Sequence, residues 1–395
     1  MKFILLLAAF LPVLTVNADE KIVYCYYGTW SVYRQGEGKF AVSSIDPTLC
    51  THLGYSFFGV EEDGTIKSLD KYLDIDLGNI KKVNELKKIN PKLKTMAVIG
   101  GWNEGSAKYS IIANDVNRRK KFIDSALVFM KKFNFNGLDL DWEYPGKRNS
   151  NNLKDKDNFA IWLKEIKEAF FKEKYILAIA VGAAKVTASI AYDIPKISQH
   201  VDIINLMTYD FHGSWDHTTG ENSPLYDPKS ELSVDSAVSY WIESGAPPSK
   251  LVMGIPLYGR SFTLADSKNF NINAPTNGPG LPGPLTRTSG FLGYNEICTN
   301  KWSEVFDPVQ KVPYAHNGNQ WVGYDNEQSI GEKVSYAKNK KLGGVMVWSI
   351  ETDDFRGKCG RSKYPLLKKV NEFLKDEKVV LKKLINSFIT FIVFK

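Results

Sequence analysis

A chain of 395 residues, 24% charged and 13% aromatic, leaves roughly 360 residues once a leader and a terminal tail are set aside, enough for one large domain with an insertion or for two domains. The formal net charge of +7 reflects 51 basic against 44 acidic residues. That excess is spread over helical faces such as 79–88 and 117–132 with no basic cluster or recognition motif, so a nucleic-acid partner is not expected.

Residues 1–18 have the layout of a secretory signal peptide: Lys2, an apolar run over 3–14, and Val16-Asn17-Ala18 with small residues suited to cleavage. The apolar core is too short for a membrane span, so no stable membrane insertion is expected and the mature chain is expected to be secreted and extracellular. In that compartment Cys25, Cys50, Cys298 and Cys359, an even number without CxxC spacing, read as two disulfides rather than a metal site, with three pairings open. N-glycosylation is not expected, because Asn222-Ser223-Pro224 fails the acceptor pattern and no other site exists.

Short runs rich in β-branched, aromatic and small apolar residues recur at 22–27, 53–60, 95–100, 137–143, 176–181, 203–209, 252–257 and 344–350. Helical periodicity fills most gaps: 76–90; 114–133, with Phe122, Ala126 and Phe129; 157–174, with Phe159, Leu163, Ile166 and Phe170; and 233–244, with Ala237, Tyr240 and Trp241. Eight strands alternating with helices predict an α/β fold, a (β/α)8 TIM barrel, with an open doubly wound sheet as the competitor. From about 261 to 325 the rhythm breaks into a Pro/Gly-rich stretch and aromatic segments before helical pattern resumes at 326–341. So long a stretch is a poor loop, and it reads as a small inserted α+β subdomain after the seventh strand, walling one side of a groove. A final helix at 365–375 completes a catalytic unit spanning 19–376; the apolar segment 377–395 is too short to cross a bilayer and reads as a loose or interfacial tail.

The fourth run carries the chemistry. Alternate residues of a strand share a face, so in Gly137-Leu138-Asp139-Leu140-Asp141-Trp142-Glu143 the three acids point one way and Leu138, Leu140 and Trp142 the other. A solvent face would mix in basic and hydroxylated residues; three aligned acids repel one another and are costly to bury unless protons or hydrogen bonds compensate. Crowding and burial raise a carboxyl's pKa. Glu143, nearest the strand's C-terminal end, where barrels place catalytic groups, is the expected general acid.

Aromatic residues recur where other strands meet loops: Tyr26 and Trp30, Trp102, Tyr209 with Trp215 beyond it, Tyr258, and Trp348. Flat rings at one end of a barrel suggest a cleft suited to the C–H faces of sugars, and the acids beside them suit glycosidic-bond cleavage. Asp210 and Arg260 put an acidic and a basic residue on the same rim. His212 has no second His or Cys at ligand spacing, so it reads as orienting or structural, and no metal is expected. Without a phosphate loop, dinucleotide fingerprint or Ser-His-Asp signature, no cofactor is expected either. Acids from a single strand approach from one side, so the nucleophile must come from elsewhere in the protein, from water, or from the substrate, such as the 2-acetamido group of N-acetylglucosamine.

The segment Asn136-Gly137-Leu138-Asp139-Leu140-Asp141-Trp142-Glu143-Tyr144-Pro145 closely resembles the signature of family 18 glycoside hydrolases, the animal chitinase group. Agreement extends to Ile99-Gly100-Gly101-Trp102-Asn103, Met207-Thr208-Tyr209-Asp210-Phe211-His212-Gly213, Tyr258-Gly259-Arg260-Ser261-Phe262 and Trp348. The resemblance implies that Glu143 protonates the leaving oxygen and later acts as base, that Asp141 orients the substrate acetamido group, and that Asp139 beneath it shares a proton. It implies that Tyr209 and Asp210 hold the acetamido group and the distorted sugar, and that Tyr26, Trp30, Trp102, Asn103, Met207, Trp215, Tyr258, Arg260 and Trp348 line sugar subsites. It implies disulfides Cys25–Cys50 and Cys298–Cys359, and chitin or its oligosaccharides as the ligand of a monomer. The expected function is a retaining, substrate-assisted, endo-acting chitinase; the alternative is a chitinase-like lectin, against which the complete acid triad argues. Three departures stand out. Loop 68–77 offers only Tyr72 where many relatives carry a Trp, no Cys-rich chitin-binding module follows the barrel, and the apolar tail matches nothing in the family.

Overall fold

The computed structural model describes residues 21–150, 152–360 and 362–375. The expected leader and the apolar tail at 377–395 lie outside those residues.

Eight parallel strands form the frame: β1 (Ile22–Gly28), β2 (His52–Val60), β3 (Lys94–Gly100), β4 (Gly137–Asp141), β5 (Ile176–Gly182), β6 (Ile203–Met207), β7 (Leu251–Pro256) and β8 (Gly344–Trp348). Each pairs with its neighbour, and β1 pairs in parallel with both β2 and β8, which closes a TIM barrel and excludes the open sheet. Strand alternation then divides the side chains. Tyr24, Tyr26, Met96, Val98, Ala178, Ala180, Val252 and Met346 cluster inside the ring. Leu138, Leu140, Ile179, Val181, Leu206 and Ile255 face outward onto Phe122, Phe159, Trp162, Leu163, Val234 and Trp241 of the surrounding helices.

The long helices fall within a few residues of their expected positions, at Val116–Phe133, Asp155–Glu173, Val234–Glu243, Glu327–Asn339 and Pro365–Leu374. Side chains of Asp115, Ser233 and Asn326 cap three of them by accepting from first-turn N–H groups. The expected helix 76–90 is broken: a π-helical turn, Tyr72–Asp76, gives way at Gly78 (φ 66°) to a short helix, Asn79–Glu85. Ala107–Asn114, Lys185–Ala191 and Ile194–His200 are additional helices of at most eight residues, too short to announce a period.

Between β7 and β8 the chain builds a six-stranded antiparallel sheet around Tyr258–Leu264, with a one-turn helix at Tyr294–Ile297. This is the expected α+β insertion. Phe262, Leu264, Tyr314 and Trp321 on one face, and Leu292, Ile297, Ala315 and Val322 on the other, give it its own cores. Disulfides join Cys25 to Cys50 and Cys298 to Cys359, with Cα atoms 6.0 and 5.6 Å apart. No helix of the described residues is long and apolar enough to cross a membrane.

Candidate active site

The inner face of β4 carries Asp139 and Asp141, and Glu143 follows two residues past its end, all three buried as the alternation predicts. Asp139 Oδ2 accepts from Tyr24 Oη at 2.8 Å, Tyr26 Oη at 2.6 Å and Asn205 Nδ2 at 3.2 Å. Burial raises the Asp139 carboxyl to about 6, and those three donors pull the other way. Asp141 has no such support: its Oδ1, like that of Asp139, is buried without a hydrogen-bond partner. Burial, then the charges of Glu143 and Asp139, push it well above the carboxylate range. Of the two aspartates, Asp139 is therefore the better anion and Asp141 the better proton carrier.

Glu143 is 8% exposed, and its carboxyl is pushed up to about 7. Burial is the main cause; hydrogen bonding from Tyr144 and the Arg148 charge hold it down, and Asp210 adds to the rise. A carboxyl poised there can give a proton and take one back at neutral pH. Gly100 keeps this part of the floor tight: it sits at φ 120°, and a Cβ on it would lie 2.0 Å from the Asp141 carbonyl oxygen.

On the rim above β6, Asp210 accepts from Tyr258 Oη at 2.6 Å and from Arg260 Nε and Nη2 at 2.7 and 2.6 Å. Barrel and insertion are thereby clamped together by a two-toothed ion pair. Asn222, fully buried, ties the same joint: its Oδ1 accepts from Asp210 N at 3.0 Å and its Nδ2 donates to Tyr258 O at 3.1 Å. Among the described residues Tyr209 Oη has the Met346 sulfur, at 3.9 Å, as its hydrogen-bond partner, a weak acceptor that leaves the hydroxyl available to a ligand. His212 pairs with Asp216 through Nδ1 at 3.0 Å, a structural arrangement of the kind expected.

Aromatic walls stand on opposite sides. Trp30 and Trp348 both pack on Phe57, with ring centroids 6.1 and 5.7 Å away, and Tyr26 meets Trp348 from below with its own hydroxyl committed to Asp139. Trp102, 57% exposed, stands beside Tyr144, and Trp215, 53% exposed, lies 5.3 Å from the Arg260 guanidinium. Asn103 is exposed next to Trp102, while Met207 packs half-buried against the inner cluster. Tyr72 is exposed on its π-helical turn, and Tyr33 is hydrogen-bonded to Asp70 nearby at 2.6 Å.

A model described as glycosyl hydrolases family 18 matches residues 22–353. The chain belongs to that family. Chitotriosidase-1 of Mus musculus is 41% identical over 366 residues, covering 89% of this chain and 77% of that one. The structure of Ostrinia furnacalis Group IV chitinase in complex with allosamidin superposes with a TM-score of 0.88 at 47% identity, covering 90% of this chain and 98% of the other. A structure described as human YKL-39, a pseudo-chitinase with retained chitooligosaccharide binding properties, superposes with a TM-score of 0.84 at 40% identity, covering 90% and 99%. Family 18 membership thus spans active chitinases and binding proteins without the activity.

Four residues of this family 18 site escaped the sequence reading. Phe57 joins the two tryptophans of one wall, and Asn222, which in the sequence reads as a failed glycosylation site, ties Asp210 to Tyr258. Glu351, fully buried, accepts from Gly28 N at 3.2 Å and Ser349 Oγ at 2.6 Å beneath Trp30. Arg148 stacks on Trp102 with its guanidinium 3.4 Å from the ring centroid. Phe57 lies within the predicted run 53–60, where nothing distinguishes it from core residues, and the other three are lone residues outside any motif or period.

Proposed function

We propose that this protein is a secreted, endo-acting chitinase that hydrolyses β-1,4 bonds between N-acetylglucosamine units with retention of anomeric configuration. The observation that carries the reading is the stacked triad. A carboxyl pushed up to about 7 stands over an acid that burial and its neighbours push well above the carboxylate range, which in turn stands over a triply hydrogen-bonded aspartate. In this mechanism Glu143 gives its proton to the glycosidic oxygen as the bond to the anomeric carbon breaks. The substrate's acetamido carbonyl oxygen attacks the same carbon, forming a cyclic oxazolinium ion. Asp141 passes its proton to Asp139 and, as a carboxylate, accepts a hydrogen bond from the acetamido N–H and stabilises the positive charge of the ring. Tyr209 donates its free hydroxyl to the acetamido oxygen, and Asp210 holds the distorted ring. Glu143, now a carboxylate, deprotonates the water that opens the ring from the side the leaving group vacated.

The leader at 1–18 directs secretion in this reading, residues 19–376 form the catalytic unit, and the aromatic walls bind a chitin chain across the barrel mouth. A lectin without turnover is the second reading, motivated by the binding-only relatives; retention of all three acids, Tyr209 and Asp210 favours the enzyme. Purified protein and its Glu143→Gln variant, incubated with a soluble N-acetylglucosamine hexamer, separate the two. Wild type alone should release short β-anomeric oligomers while both proteins bind the hexamer; binding without cleavage by either protein would establish the lectin.

A further inference from the structure

Two cations follow the acid in sequence and lack carboxylate partners. Arg148 donates to the carbonyl oxygens of Trp102 and Glu143 at 2.9 and 3.2 Å, and Lys147 donates to Thr187 Oγ1 at 3.1 Å. Among the described residues neither forms an ion pair with an acid. Asp210 is engaged with Arg260, Glu104 with Lys108, and Asp155 by hydrogen bonds from its own turn and from Ser110. Nor is the loop loosely placed. Buried Asp155 accepts from Gly146 N at 3.0 Å, from Ser110 Oγ at 2.6 Å and from Ser150 Oγ, pinning the turn that carries both cations.

The site is therefore cationic on one side. If Glu143 protonates the oxygen that departs with the leaving sugar, then Arg148 and Trp102, packed around Glu143 at the end of the β3–β4 wall, border that sugar. When the substrate binds, before that transfer, Glu143 still carries its proton and Asp210 is balanced by Arg260, and among the described residues Arg148 forms no ion pair. A deacetylated unit carries an ammonium group at mildly acidic pH, and like charges across a partly wet rim repel.

We propose that Arg148, assisted by Lys147, selects an N-acetylated over a deacetylated, cationic sugar at the position that departs with the protonated oxygen. The inference rests on the substrate-assisted reading and adds a specificity to it. That chemistry already demands an acetamido group on the other side of the broken bond, so the enzyme would cut partially deacetylated chitin preferentially between two acetylated units.

The test uses chitin deacetylated at roughly half its units, digested at about pH 5.5, where amino sugars are protonated, by wild type, Arg148→Gln and Arg148→Lys. Sequencing of product ends by mass spectrometry reads both sides of each cut: new non-reducing ends come from the departing sugar, new reducing ends from the sugar that reacted. Wild type should give acetylated units at both. In Arg148→Gln, glucosamine at the non-reducing ends should rise roughly three- to tenfold, the scale of one screened charge contact, while the charge-preserving Arg148→Lys keeps the wild-type pattern. An unchanged pattern in Arg148→Gln, or equal relaxation in Arg148→Lys, overturns the proposal. Deacetylated units at wild-type reducing ends would instead overturn the substrate-assisted chemistry, and the inference with it.

Discussion

Replacing Glu143 with Gln removes a buried carboxyl that the fold holds at a cost, and that cost depends on pH. The carboxyl rises from 4.5 to about 7 on folding. At about 1.4 kcal/mol per unit this corresponds to roughly 3 kcal/mol. The sign follows from proton counting. Between the unfolded and folded values the native state binds more protons than the unfolded one. The contribution to stability is therefore fully present below about pH 4.5 and is lost as pH rises through about 7. Glutamine has no such loss. Glu143→Gln should match wild type near pH 4 and exceed it increasingly up to pH 8. For a domain of this size, with an unfolding entropy on the order of 0.7 kcal/mol/K, the difference reaches about 4 °C. Thermal melts in one buffer series at fixed ionic strength measure it. A difference that stays constant with pH, or a wild type that gains on the variant between pH 5 and 8, would refute burial of Glu143 as the source of its raised pKa.

Asn222→Ala removes the side-chain partner of the Asp210 N–H and of the Tyr258 carbonyl and leaves a gap at a buried site. It should cost about 2 kcal/mol of stability and loosen the Asp210–Arg260 clamp; denaturant melts, with KM for the hexamer as the second readout, would show a rise in KM exceeding any fall in kcat. Gly28→Ala would place a Cβ 2.5 Å from Glu351 Oε1 and 2.7 Å from the Trp30 ring. Displacing Trp30 should weaken binding of the hexamer more than that of a dimer by calorimetry, and equal losses on both would remove Trp30 from the groove.

The barrel was legible because its signals are periodic. Leu138, Leu140 and Trp142 turned outward and Asp139, Asp141 and Glu143 inward, since a strand's two-residue repeat leaves no other choice. The insertion was legible only as an interruption; its strand pairings, such as Phe262 opposite Trp321, depend on partners about sixty residues apart. Lys185–Ala191 and Ile194–His200 are seven residues each, less than two full periods, and Ala183, Ala184 and Ala188 around the first give no amphipathic contrast. At the site, residues in motifs were found and residues acting through tertiary contact were not: Arg148 reaches Trp102 across 46 positions. The cis peptides at Ser56–Phe57, Glu143–Tyr144 and Trp348–Ser349 involve no proline and leave no mark in the sequence.

The donors on Asp139 come from far along the chain. Tyr24 and Tyr26 lie 115 and 113 positions before it, and Asn205 lies 66 after. In an unclosed barrel β4 can pair with β3 and β5 while its acids stay hydrated, ionised and undemanding. Only when β1 is drawn across to join β8 do the tyrosines arrive, water leave and the carboxyls begin to compete for protons. The tension among the acids is thus an obligation deferred until the ring shuts, so a chain caught short of closure would be a calmer molecule than the finished barrel.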